Sequence, residues 1–347
     1  MNKTYVLVVA IVLIVGAIYF LDKEDKKIEV NTSAEFSHEL VGIAGYINTE
    51  NYGGDNFQLQ DYIGKKVILV DFWTYTCINC QRTLPYITSW HEKYSDKCLL
   101  IVGVHTPEFE FEKKIENVKN AVQEFGIQYP VVQDNDYATW RAYKNNYWPH
   151  KYLIDINGDI VYDHVGEGGY RETEMKIQQL LEERMQSLGT EEDIDVALTS
   201  GGDVSVAQSP ETYFGAWRNS NLGNGVRGVV GIQQFELLQD AKPNTLYLSG
   251  TWDVQQQFAR SGENASIVFY YSAKKVFMVA RAEKPVKVSV LVDSQPVGER
   301  SGKDIINNVM TVQEERLYEV IVDKEPGAHV LQLVAEPGFD VFTFTFG

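Results

Sequence analysis

The sequence predicts an α/β domain built on parallel strands, then an all-β domain, both behind a single apolar N-terminal helix. Three observations carry this. Continuous apolar runs at Val67-Ile68-Leu69-Val70 and Leu99-Leu100-Ile101-Val102-Gly103-Val104 alternate with helical stripes, the pattern of strands buried on both faces. Helical periodicity stops near Gly189, and short β-rich runs separated by turn residues fill the rest of the chain. Ahead of both, Tyr5 to Leu21 is a run of 17 residues without a charge.

At 347 residues the chain can hold two cores, and 44% hydrophobic with 12% aromatic residues is a globular composition. A formal charge of −17 argues against nucleic acid and anionic surfaces as partners, since both would be repelled. Three cysteines exclude a disulfide-stapled scaffold and leave one working pair plus one spare thiol. As a helix, Tyr5–Leu21 would span roughly 25 Å, at the low end of what crosses a bilayer. Lys3 precedes it and the mixed-charge Asp22-Lys23-Glu24-Asp25-Lys26-Lys27 follows, so the positive-inside rule places the bulk of the chain outside the cytoplasm. Small residues at Val15-Gly16-Ala17 offer a cleavage site as the alternative, but the apolar run continues past Ala17. The expectation is a single-pass membrane anchor, with residues 5–21 in the bilayer, within a segment 1–27 and a polar tether 28–40.

In order along the first domain, 41–188, Phe57-Gln58-Leu59-Gln60 reads as a short alternating strand and Val67–Trp73 as a buried one. Cys80 to Tyr94 reads as a helix with Pro85 inside it, a deliberate bend. Leu99–Val104 is the second buried strand. Ile115, Val118, Val122 and Phe125 fall at near-helical spacing with Gly126 as a stop. Val131-Val132 starts a short strand, and Tyr137, Trp140 and Tyr143 form another helical stripe. Lys151–Asp155 and Ile160–Tyr162 flank Asn157-Gly158, a strong hairpin signal. Ile177, Leu180, Leu181, Met185 and Leu188 close the domain as an amphipathic helix. Residues 189–208 are linker-like. From 209 to 347, β runs recur at Thr245–Leu248, Ala265–Tyr271, Val276–Arg281, Val286–Val292, Arg316–Val322, His329–Val334 and Phe339–Phe346, predicting an all-β sandwich.

The chemistry sits in Asp71-Phe72-Trp73-Thr74-Tyr75-Thr76-Cys77-Ile78-Asn79-Cys80, a strand running into a Cys-x-x-Cys at a helix start. Two thiols at that spacing can close a disulfide, and the helix dipole favours a thiolate on the first. Asp71, at the end of the buried strand, is placed to exchange a proton with the second thiol. Trp148-Pro149 precedes a strand and is a candidate cis bond. Half of a zinc site is the dull alternative, but no second Cys-x-x-Cys is present and the six histidines are scattered. Cys98 opens an apolar strand and reads as an inert core thiol.

Residues 41–188 resemble the thioredoxin superfamily in its TlpA-like branch, and more closely the thioredoxin-like part of DipZ-type proteins. The motifs are Val70-Asp71-Phe72-Trp73-Thr74-Tyr75-Thr76-Cys77-Ile78-Asn79-Cys80-Gln81-Arg82-Thr83-Leu84-Pro85-Tyr86, Gly103-Val104-His105-Thr106-Pro107-Glu108-Phe109, Asp134–Trp140, Asn146–Pro149, Tyr152–Asp155 and Gly166-Glu167-Gly168. The resemblance implies a thioredoxin fold with a helix–strand insertion, a central mixed sheet flanked by helices. It implies Cys77 as the attacking thiol, Cys80 as the resolving thiol, Asp71 as the buried proton acceptor and Pro149 as the cis proline aligning the substrate. Trp73, Thr76, Trp148 and His150 are the candidate groove residues. DipZ-type proteins usually begin with a multi-helix membrane domain that delivers electrons; a single anchor stands here, so a separate donor such as a CcdA-like protein is expected. His150 follows the proline where the family usually has a small residue; facing the disulfide it would stabilise a Cys77 thiolate, and otherwise it points to solvent.

Residues 209–347 resemble the β-sandwich of DipZ-type proteins, similar to carbohydrate-binding modules, through Ser209–Gly215, Tyr247–Trp252, Val276–Val279 and Phe342–Gly347. Its jelly-roll-like fold would present Tyr213, Trp217 and Trp252 as possible ligand contacts, although aromatics at strand spacing are more often core. The expected function is a membrane-anchored, extracytoplasmic thiol–disulfide oxidoreductase, reducing protein disulfides with no cofactor beyond its own Cys77–Cys80 disulfide. The alternatives are a disulfide-forming oxidase, copper delivery using His164, and a scaffold or glycan-binding protein.

Overall fold

The computed structural model describes residues 38–201, 209–236 and 242–347. The apolar run at residues 5–21 lies outside them; among the described residues no helix is long and apolar enough to cross a membrane.

The first domain is a six-stranded mixed sheet in the order β1-β4-β3-β2-β5-β6. Its strands are β1 (Gly45–Ile47), β2 (Val67–Trp73), β3 (Leu99–His105), β4 (Val131–Gln133), β5 (His150–Ile154) and β6 (Ile160–Val165). Helices α1 (Ile78–Tyr94), α2 (Ile115–Glu124), α3 (Ala138–Ala142) and α4 (Tyr170–Leu188) connect and flank them. β2, β3 and β4 run parallel, and β1, β5 and β6 complete the sheet antiparallel to their neighbours. This is a thioredoxin fold with a mixed sheet.

Central strands β2 and β3 are buried along their whole length, which is why their sequences are unbroken apolar runs. Alternation along them decides what each residue meets. Val67, Leu69 and Trp73 face a core built with Leu84, Ile87 and Trp90 of α1 and Ile177 and Leu181 of α4. Ile68, Val70 and Phe72 face the other way, into a cluster with Leu59, Trp140, Tyr143 and Tyr152. Edge strand β6 alternates half-buried and exposed residues along its whole length, as an edge requires. The Asn157-Gly158 turn closes the β5–β6 hairpin, with the Asp155 carboxylate accepting the N–H groups of Asn157 and Asp159.

Three sequence expectations need correction here. Phe57–Gln60 is no strand: Leu59–Tyr62 is a 3-10 turn that caps the far face with Leu59, and the first strand is Gly45–Ile47 instead. Cys98 is not a core residue: it takes a left-handed φ of 68° just before β3, half exposed, with its thiol 3.8 Å from Glu192. In the second domain, the separate runs 265–271 and 276–281 are one strand, Ser266–Ala282, irregular in register between Ala273 and Lys275. Likewise 316–322 and 329–334 join as Arg316–Ala335.

The second domain is β-rich, its strands hydrogen-bonded as one network of antiparallel pairs, with the long strands Ser266–Ala282, Arg316–Ala335 and Phe339–Phe346 at its centre. It does not hang free. Phe277, Val279, Leu317 and Phe342 belong to the same buried cluster as the α1 face of the first domain. The described start of the connecting segment packs back on the first domain: Glu174 of α4 accepts from the Thr199 N–H at 2.7 Å and pairs with Lys93 at 2.8 Å.

Candidate active site

β2 delivers the chain to one end of the sheet, Thr74–Thr76 turn it, and α1 begins. Cys77 is the residue before the helix, in extended conformation, and its Sγ accepts the backbone N–H of Cys80 at 3.3 Å. The first sulfur therefore sits where a helix offers unpaired donors. The two thiols differ in access: Cys77 is half-buried and Cys80 is 1% exposed. Burial, then the neighbouring Cys77, push the Cys80 thiol pKa upward.

Cys77 opens into a cleft of about 540 Å³ whose walls come from both domains. Arg82 and Glu167 form one side, paired through two bonds of 2.7 and 2.8 Å, with Asn79 accepting from the same guanidinium. Trp148 forms another; its indole N–H donates to the Thr106 carbonyl at 3.1 Å, and the Trp148–Pro149 bond is cis. Tyr213, Arg218 and Phe346 of the β-domain supply the far wall.

Below the thiols the interior is charged. Asp71, 1% exposed, faces the α1 side of the sheet, and its Oδ1 is buried without a hydrogen-bond partner. Burial pushes its carboxyl up to about 7, with the Lys151 ammonium acting in the opposite sense. Asp71 and Lys151 stand opposite each other on β2 and β5. Lys151 is fully buried, donates to the Gly166 carbonyl at 3.1 Å, and has its pKa lowered by burial. Gly103 is their neighbour on β3, and only a glycine fits there: a Cβ would stand 2.9 Å from the Trp73 indole nitrogen and 3.2 Å from the Tyr129 ring.

The candidate residues from the sequence separate into three groups. Cys77, Cys80, Asp71 and the Trp148–Pro149 loop gather around one centre. Thr76 adjoins it but is buried, its hydroxyl donating to Glu112 at 2.5 Å, so it lines no groove. Trp73 is also fully buried, in the core. His150 neither faces the thiols nor points to solvent. One residue after Pro149, alternation turns it to the far face, where Nδ1 meets Asn145 at 2.7 Å and Tyr152 at 2.9 Å, and Nε2 meets Asp163 at 2.8 Å. Lys151 takes the near face instead. A lysine inside the buried run 150–154 was the available signal.

In the β-domain, Trp252 is fully buried with its N–H on the Ser249 carbonyl, which removes it as a ligand contact. Trp217 is 65% exposed. Tyr213 lies in the redox cleft, its hydroxyl donating to Glu108 at 2.8 Å. His164 stands opposite Lys151 across the hairpin, with Nε2 3.5 Å from the Glu167 carbonyl. Among the described residues no three His, Cys, Asp or Glu side chains form a metal-ligand set.

Comparison with known proteins agrees with this geometry. Residues 43–181 match the Redoxin family and residues 209–347 match the thioredoxin-like C-terminal domain family. Residues 43–181 thus carry a Redoxin-type, thioredoxin-like domain, and the chain is similar to thioredoxin-like thiol–disulfide oxidoreductases. It is similar to protein DipZ of Mycobacterium bovis, 34% identical over 312 residues, which cover 89% of this chain and 42% of DipZ. It thus spans about two-fifths of that relative's length, through both domains. The thiol-disulfide oxidoreductase YkuV of Bacillus subtilis is 29% identical over 145 residues, 42% of this chain and 93% of YkuV. The thiol-disulfide oxidoreductase ResA of Bacillus cereus is 26% identical over 186 residues, 52% of this chain and 97% of ResA.

Proposed function

We propose that this protein reduces protein disulfides through Cys77 and Cys80, outside the cytoplasm and tethered to a membrane by residues 5–21. The carrying observation is the asymmetric pair: a half-exposed Cys77 at a helix start above a buried Cys80, with a carboxyl that titrates near neutrality beneath them. The Cys77 thiolate attacks one sulfur of the substrate disulfide, and the other substrate sulfur leaves as a thiolate. Cys80 then gives its proton to the Asp71 carboxylate and attacks the Cys77 sulfur. The second substrate thiol is released and the Cys77–Cys80 disulfide remains, two electrons having passed to the substrate. Pro149 aligns the substrate backbone beside Cys77, with Trp148 on the cleft wall.

A separate membrane donor, CcdA-like in kind, returns the pair to the dithiol. The β-domain, a jelly-roll-like sandwich in this reading, contributes Tyr213 and Arg218 to the wall that a partner protein meets. That placement supports partner docking over glycan binding as its role.

The test is the reduction potential of the pair against a glutathione or thioredoxin reference, with Cys77→Ser as control. A value near about −270 mV supports a reductase, and one near about −120 mV means a disulfide-forming oxidant. A pair that forms no disulfide overturns the reading. Recovery of the full-length chain in the soluble fraction of its cell would overturn the anchor.

A further inference from the structure

One buried carboxylate outside the thiol pair joins the redox turn to the β-domain. Glu112, fully buried, lies in the 3-10 segment Glu110–Lys113 between β3 and α2. Its Oε2 accepts the backbone N–H groups of Glu108 at 2.5 Å and Phe109 at 2.9 Å, and its Oε1 accepts the Thr76 hydroxyl at 2.5 Å. The Thr74 hydroxyl meets His105 Nε2 at 3.3 Å. Thr74 and Thr76 belong to the turn that presents Cys77.

The outer side of the same segment is where the β-domain docks. Phe109 and Phe111 meet Phe342 edge-on, with ring centroids 5.0 and 4.9 Å away. Glu108 Oε1 accepts from Tyr213 at 2.8 Å and from Arg218 at 2.7 Å, and the Glu110 N–H donates to Gln257 at 3.0 Å. A carboxylate with this burial is costly unless its donors stay in place. Burial and the Glu108 charge together push its carboxyl up to about 7 despite those donors. Moving the segment would carry Glu112 away from the Thr76 hydroxyl, so the turn and the docked segment shift together.

We propose that Glu112 is a positioning residue that couples the seating of the β-domain to the reactivity of Cys77, acting through the Thr76 hydroxyl. The inference rests on Cys77 being the attacking thiol. Its readout, however, needs no redox partner: the rate of Cys77 alkylation by iodoacetamide at fixed pH, in the full chain, followed by mass spectrometry of the Cys77 peptide. Failure to form a disulfide would sink the oxidoreductase reading and leave this test intact.

Thr76→Val and Phe342→Ala should each change that rate at least about threefold in the same sense, and the double variant by no more than the larger single change. Glu112→Leu should behave like them. Glu112→Gln should recover at least about half of the change, because an amide can accept from the two N–H groups while its NH₂ donates to Thr76. Arg218→Ala replaces Phe342→Ala if the latter fails to fold, and Thr76→Val stands in for the Glu112 variants on the same ground. Wild-type rates in a folded interface variant, or changes that multiply in the double variant, overturn the coupling.

Discussion

Asp71 and Phe72 are adjacent on β2, as Lys151 and His150 are on β5, yet the two sides of the sheet they face are different environments. On the far side His150 is a polar group with every nitrogen engaged, by Asn145, Tyr152 and Asp163, inside an aromatic cluster. On the near side Asp71 keeps a buried oxygen without a partner, and Lys151 has one carbonyl to bond. Both sides bury polar groups, but only the near side leaves them incompletely satisfied beneath a thiol. Satisfied groups hold structure, whereas a buried ionisable group without partners beneath a thiol is free to exchange a proton, and that marks the reacting side.

The largest test of that contrast is at the thiols. Cys77→Ser should lower disulfide reduction by on the order of 10³-fold or more, because the attacking sulfur is gone. Cys80→Ser should instead accumulate a mixed disulfide with the substrate, visible as a mass increment on Cys77.

Asp71→Asn tests the near side next, with opposite effects on activity and stability. With its native carboxyl raised to about 7 from 3.8, the unfolded chain gives up this proton first as pH rises. The native state therefore loses stability between those values, and the penalty is complete above about pH 7. Asp71→Asn should stabilise the protein by about 2–4 kcal/mol at pH 8 and by little near pH 4, read by denaturant unfolding at both pH values. At pH 7 it should slow the resolution step by about 10²-fold, the proton acceptor being lost. Equal stability gains at both pH values would mean Asp71 is not the group titrating.

His150→Ala is the mirror experiment on the far side. It leaves the buried Tyr152 hydroxyl without its imidazole partner and should cost about 1–3 kcal/mol of stability. The exchange rate per folded molecule should be unchanged, and a slowed exchange would erase the difference between the faces. Smallest of all, Trp217→Ala on the exposed rim of the β-domain should stay within about 0.5 kcal/mol by thermal unfolding.

Much of the first domain was legible because its signals are local. β2 is predicted at Val67–Trp73 and observed there, since a strand buried on both faces must be apolar throughout. The hairpin, the Cys-x-x-Cys helix start and the Gly126 stop are likewise properties of a few neighbouring residues. Phe57–Gln60 misled because four alternating residues fit a strand and a 3-10 turn equally well. The long strands Ser266–Ala282 and Arg316–Ala335 each read as two runs, because an irregularity in their register interrupts the pattern without ending the strand.

The sequence by itself determined the reactive pair, the fold that presents it and the presence of a second β domain, since each is written in spacing or periodicity along the chain. Only the tertiary structure decided which neighbours serve that pair. Whether His150 or Lys151 lies beneath Cys80 depends on the register of β5 against β2, where a slip of one residue exchanges the two faces. That Glu112 meets Thr76, and Tyr213 meets Glu108, depends on segments 36 and 105 residues apart being packed together, and no local pattern encodes such a meeting.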